Sequence, residues 1–121
     1  MMPVKTLKAE DLDQFIGSEH WYQHGLVRTI TYTDGAKYVA DEGGAYWLLD
    51  EIALAQRFSP AVKREPFQVW KLAVNNQEGV LTCDDGDGNI VYTKPIPFTD
   101  FPLPEIKFYF RDNVILLPSE Y

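Results

Sequence analysis

His20 and His24 lie four positions apart in Glu19-His20-Trp21-Tyr22-Gln23-His24, and two such imidazoles could hold a metal or move a proton. On a helix this spacing would bring both rings to one side. The zinc-protease pattern, however, also needs a glutamate directly after the first histidine, and Trp21 stands there. On an extended segment the rings would sit ~13 Å apart, too far to share an ion. No third ligand is near in sequence, so no metal site is expected. A solvent-facing or backbone-bonded pair is the expectation instead.

Asp84-Asp85-Gly86-Asp87-Gly88-Asn89 invites a calcium reading. A calcium loop opening at Asp85 would use Asp87 and Asn89, but it needs glycine where Ile90 sits and a bidentate glutamate where Ile96 sits. The run is expected to be a hairpin turn built from residues that tolerate positive φ. Cys83 is followed directly by two carboxylates, which disfavour the thiolate a nucleophile needs. A buried, inert thiol is the expectation. Gly43-Gly44 could open a helix toward an anion, yet Asp41 and Glu42 precede it and would repel one. No Gly-x-Ser-x-Gly elbow or phosphate-cradling glycine loop is present. No catalytic residue and no cofactor are therefore assigned. One ligand-binding alternative stands: His20, His24 and Tyr38 with Asp41 and Glu42, if folding brings them together.

The elements that must position these groups read as follows. Thr6 is a plausible cap for a short N-terminal helix over residues 7–16, with Leu12, Phe15 and Ile16 as a narrow apolar stripe ended by Gly17. Residues 26–40 read as a β-hairpin with a type I′ turn at Asp34-Gly35, placing Ile30, Tyr32 and Val39 inward. After Gly43-Gly44, residues 45–58 carry the strongest helical signal, stopped by Ser59-Pro60. Tyr46, Leu49, Ile52 and Ala53 fall on one side at 100° per residue and should face a sheet.

Period-two alternation follows Pro66, with Trp70, Leu72 and Val74 against Val69, Lys71 and Ala73. Short strands are expected over 80–84 and 89–94, then a proline-punctuated arm over 95–104 that wraps a surface. A last hairpin spans 106–117 around Asp112-Asn113; Ile106, Phe108 and Phe110 point one way, Lys107, Tyr109 and Arg111 the other. The fold class is α+β: a mostly antiparallel sheet of about six strands, the helix over 45–58 on one face, and a short N-terminal helix. The chain's 121 residues suit one domain, 1–121, able to build a core without metal or disulfide.

Eleven Lys and Arg against eighteen Asp and Glu give a net charge of −7. That balance opposes nucleic acid and anionic membranes. The one adjacent basic pair, Lys63-Arg64, is followed by Glu65, so no direct nucleic-acid partner is expected. No apolar run is long enough to span a bilayer, no signal peptide is visible, and a lone cysteine fits a cytoplasmic home.

Trp47, Leu54 and Phe58 project from the polar side of the main helix, rimmed by Asp50, Glu51 and Arg57. A rimmed aromatic patch of this kind suits a protein partner. The opposing expectation is that these rings are core, or are covered by the 95–104 arm.

Two further segments carry a resemblance. Thr33-Asp34-Gly35-Ala36-Lys37-Tyr38 leads through Gly43-Gly44-Ala45-Tyr46-Trp47-Leu48-Leu49-Asp50; Val91-Tyr92-Thr93 leads through Phe98-Thr99-Asp100-Phe101-Pro102-Leu103 to Leu116-Leu117-Pro118-Ser119-Glu120-Tyr121. Together they resemble an uncharacterised family of small bacterial proteins often met on plasmids and phages. The resemblance implies a bacterial cytoplasm and a mobile-element setting, and brings no activity or catalytic residues. The expectation is a non-enzymatic protein-interaction domain, a modulator of a host protein. The rivals are the small enzyme or ligand-binding domain at His20, His24 and Tyr38, and a homodimer pairing edge strands through residues 114–117.

Overall fold

The computed structural model describes residues 7–17 and 20–121. Seven strands form one sheet: β1 (Trp21–Gln23), β2 (Thr31–Thr33), β3 (Phe67–Asn75), β4 (Glu78–Asp84), β5 (Ile90–Ile96), β6 (Glu105–Arg111) and β7 (Val114–Leu116). Their spatial order is β1-β2-β7-β6-β3-β4-β5. All neighbours are antiparallel except β2 and β7, which run parallel. The helices are α1 (Asp34–Gly43), α2 (Tyr46–Phe58) and α3 (Pro60–Lys63), with 3-10 turns at Ala9–Gln14 and Pro118–Glu120. The α+β class and the largely antiparallel sheet agree with the sequence reading.

The type I′ turns fall where backbone tolerance allows them, and not at Asp34-Gly35. Asn76-Gln77 joins β3 to β4 and Asp112-Asn113 joins β6 to β7, all four residues with φ between 51° and 64°. Asp34-Gly35 instead begins α1, so the expected hairpin over 26–40 is not formed. The Thr33 hydroxyl accepts the Ala36 N–H at 3.2 Å, a helix N-cap. Ala36, Val39, Ala40 and Gly43 then bury one helical face, and Gly44 closes the helix in the left-handed region at φ 61°. A partner from the far end of the chain completes the cap. The Glu120 carboxylate accepts the Thr33 hydroxyl at 2.6 Å and the Gly35 N–H at 3.1 Å.

The N-terminal segment forms a 3-10 helix, not the expected α-helix. Lys8, at its cap position, supplies no side-chain hydrogen bond. Thr6, the expected cap, lies outside the described residues. Residues 114–117 also differ from expectation: β7 is held between β2 and β6, so it is not an edge. The edges are β1 and β5, and β5 carries Pro95, which has no N–H to offer another strand.

α2 forms almost where expected and lies over one face of the sheet. Leu48, Leu49, Ile52, Ala53 and Ala55 are buried, in one apolar cluster with Trp70, Leu72, Leu81, Phe108 and Ile115. Leu48 takes the inward place expected of Tyr46, whose phenol instead reaches out to Asp41. The proline arm packs Phe101 against Gly43 of α1, and Thr99 N–H bonds Gln77 O at 2.8 Å.

Gln68 is completely buried on β3 among these apolar groups. Its Nε2 donates to Gln56 Oε1 (2.9 Å), Val62 O (2.9 Å) and Glu65 O (3.1 Å). Its Oε1 accepts from Gln56 Nε2 (2.7 Å) and Trp70 Nε1 (2.9 Å). The reciprocal amide pair ties α2 and α3 to the sheet at one register.

A methyl group at Gly35 would stand 2.5 Å from the Glu120 carboxylate and 2.7 Å from Leu117. Gly35→Ala is expected to lower the urea-unfolding free energy by about 1–3 kcal/mol. Glu120→Ala empties that space, so the double variant should lose less than the sum of the singles. Strict additivity in this cycle would contradict the contact.

Candidate functional site

Helices cover one face of the sheet; the other face is built from the alternate residues of the same strands. Phe67, Val69 and Lys71 of β3 lie beside Arg111, Tyr109 and Lys107 of β6 in direct register. Thr82 of β4 and Thr93 of β5 extend the Lys71 row. On the other side, Tyr109 pairs with Leu116 and Arg111 with Val114. All these side chains share the face that α2 does not touch.

Its centre is aromatic. Phe67, Tyr109 and Tyr121 meet edge to face, with centroids 5.1–5.5 Å apart. The Arg111 guanidinium lies 5.1 Å from the Tyr121 ring. Beside them is a cleft of about 250 Å³ floored by Val114 and Leu116 and walled by Trp21, Tyr121 and Arg111. Trp21 is 66% exposed and Tyr121 65%, so two large rings stand open at its rim. The sequence reading places Tyr109 and Arg111 on one outward row and offers residues 114–117 as a dimer edge, but assigns none of these residues to this site. The signal available was the Lys107-Tyr109-Arg111 alternation; that Phe67, Trp21 and Tyr121 converge on it depends on strand order.

The residues that sequence did single out are scattered differently. On α2, Trp47 and Leu54 are half-buried against the core and Phe58 is 76% exposed. The two acids of the expected polar rim are engaged internally, while Arg57 is exposed. Asp50 meets His24 Nε2 at 2.8 Å, and Glu51 accepts two hydrogen bonds from Lys94 at 2.8 and 2.9 Å. The two histidines face different carboxylates. His20 Nδ1 is 3.7 Å from Asp34, whereas His24 is buried, its Nδ1 accepting the Leu26 and Val27 N–H groups at 3.1 and 3.0 Å. Because that nitrogen accepts, Nε2 carries the proton and donates to Asp50. His24 therefore shapes the 24–27 loop, as a backbone-bonded histidine should.

A model of a family of unknown function, DUF6876, matches residues 6–121. The chain belongs to this family. No curated protein and no solved structure matches it. The DUF6876 fold thus has to be read from its own chemistry.

That chemistry includes a polar network along α1 of this DUF6876 chain. Tyr22 donates to Asp34 at 3.0 Å, Lys37 to Asp41 at 2.8 Å, Tyr46 to Asp41, and Tyr38 to Asp11 at 3.3 Å. Tyr22, Asp34, Lys37, Tyr38 and Asp41 line a shallow depression of about 440 Å³. The network holds its protons tightly. Burial and then the Asp41 hydrogen bond push Tyr46 up to about 12. The hydrogen bond to Asp34 raises Tyr22, burial and then Asp11 raise Tyr38, and the bond to Asp41 raises Lys37. Burial acts to raise Asp41, but the Lys37 and Tyr46 hydrogen bonds outweigh it and leave the carboxyl below its usual range. A phenol or ammonium working as a base near neutrality needs the opposite shift. Cys83 follows the same trend, driven up to about 12 by burial and then by Asp84, Glu65 and Asp85. Asp85 spends its oxygens on Asp87 N, Asn89 N and Asn89 Nδ2 within the expected turn. Among the described residues no His, Cys, Asp and Glu cluster could hold a metal, and no helix is long and apolar enough to cross a membrane.

Two measurements check these assignments. Because folding raises the Tyr46 pKa, its contribution to stability is whole below pH 10 and is lost as pH climbs toward 12. Asp41→Asn should bring one tyrosine back toward 10 in a spectrophotometric titration, and an unchanged curve would contradict the bond. Cys83 should stay unlabelled by a disulfide reagent at pH 8 in the folded chain and react readily once urea unfolds it.

Proposed function

We propose that this domain is a non-enzymatic protein-binding module that meets its partner through the open face of the sheet. The observation that carries this reading is the cleft between Trp21 and Tyr121, with Arg111 stacked on the tyrosine. Trp, Tyr and Arg are the side chains that most often dominate binding energy at protein interfaces. Half-buried Phe67, Val69 and Tyr109 give these anchors a rigid apolar base on paired strands.

The stripe of Trp47, Leu54 and Phe58 on α2, with Asp50 and Glu51, is the competing protein surface. It has weaker support, since its aromatic anchor is partly absorbed by the core and its acids by His24 and Lys94. The reading at His20, His24 and Tyr38 has less again, because the histidines turn to separate carboxylates. In a bacterial cytoplasm, encoded on a plasmid or phage, such a module would modulate a host protein by occupying its surface.

The test is site-specific photocrosslinking in the native host, with benzoylphenylalanine placed at Trp21, at Lys107 or at Phe58. Adducts of one defined mass from Trp21 and Lys107, and none from Phe58, are expected. Adducts from Phe58 alone would move the interface to α2. Adducts at twice the chain's mass would make the partner a second copy. No adduct from any position would overturn the reading.

A further inference from the structure

The open face carries an arrangement of charge that the fold does not require. Lys71 and Lys107 stand directly opposite each other on β3 and β6. Like charges in that position destabilise a sheet pair. Arg111 continues the same face of β6, two residues beyond Tyr109. The chain has 18 acidic residues and only 11 basic ones, yet compensation here is loose. Lys71 reaches Glu105 at 3.6 Å, and Arg111 reaches Asp112, in the exposed turn, at 3.5 Å. By contrast, Lys37–Asp41 and Lys94–Glu51 close to 2.8 Å. Lys107 is exposed and makes no ion pair among the described residues, although Asp13 and Glu105 line a cleft with it. Asp112 and Glu120 line the Trp21–Tyr121 cleft, where Glu120 is taken up by Thr33 and Gly35.

We infer that the partner presents an acidic, extended segment with one bulky apolar side chain, the apolar group entering the Trp21–Tyr121 cleft and carboxylates meeting Arg111, Lys107 and Lys71. This rests on the open-face reading above and adds the partner's chemistry. The geometry sets a spacing. Arg111 borders the cleft and Lys107 lies four residues back along β6, ~13 Å on an extended strand. A bound segment of similar rise would therefore place the carboxylates that meet Lys107 and Lys71 about three to four residues from the apolar anchor, and one that meets Arg111 beside it. Thr82 and Thr93 continue the Lys71 row and offer hydroxyl donors beyond it. Such charge pairing speeds association and weakens with salt.

The experiment titrates the isotope-labelled full chain with three probes, followed by amide NMR shifts. The first is a peptide with one tryptophan and glutamates at the third and fourth positions after it. The second replaces those glutamates by lysine, and the third is a short oligothymidylate. The acidic peptide should shift amides of β3, β6 and β7, with affinity falling at least tenfold in the K71E/K107E variant and on raising salt. K107A, a milder change, should lose affinity in the same direction, and thermal unfolding of each variant confirms that it folds. Equal or tighter binding of the lysine peptide would overturn the inference, as would shifts confined to α2, or no binding of the acidic peptide. Oligothymidylate producing the same shifts would mean that the face reads phosphate, which also overturns it. If the acidic peptide fails while crosslinks from Trp21 persist, only the partner's chemistry is wrong; if both fail, the face itself is not the interface.

Discussion

The fold depends on an amide pair in a dry place. Gln68 is fully buried, and every donor and acceptor of its side chain is used, two of them by Gln56 of α2 and one by the Trp70 indole. An unpaired amide there would cost several kcal/mol, so α2 has one register on the sheet in which burial is tolerable. Leu48, Leu49 and Ile52 then fall onto Trp70, Leu81 and Phe108, and one face of the sheet is closed. The proposed binding surface lies on the other face, which α2 leaves uncovered.

The remaining polar groups serve to hold the architecture. Glu120 reaches back to Thr33 and Gly35 and so pins the end of the chain to the start of α1. Its carboxylate accepts N–H and O–H groups at a helix N-terminus, where negative charge is favoured. The same anchoring turns Tyr121 over Phe67 and Tyr109 and sets one wall of the cleft. The contact that caps α1 thus also shapes the proposed binding surface. Along α1 itself, tyrosines and a lysine are fixed to carboxylates in their protonated forms, an arrangement suited to stiffness and unsuited to proton transfer near neutrality.

Strands β3 to β6 and helix α2 were legible because their signals are local: period two after Pro66, helix formers before Ser59-Pro60, and turn residues at Asp112-Asn113. The segment around Asp34-Gly35 misled for a physical reason. Thr-Asp-Gly suits both a tight turn and a capped helix start, and a carboxylate from Glu120 decides between them. Strand order was likewise hidden, so β7 reads as an edge although β2 covers it by a parallel pairing across most of the chain. The candidate site was half visible: the outward Lys107, Tyr109 and Arg111 follow from alternation, while Trp21 and Tyr121 join them through contacts no local pattern encodes.

The three tryptophans sample the three layers of the molecule: Trp21 on the open face, Trp70 in the core and Trp47 on the outer side of α2. Acrylamide quenching of single-tryptophan variants, the other two replaced by phenylalanine, tests the one-sided sheet most directly. Trp70 alone should emit in the blue and resist quenching, while Trp21 alone should be quenched nearly as readily as free tryptophan. A protected Trp21 in the isolated chain, or a freely quenched Trp70, would contradict a sheet covered on one face and open on the other.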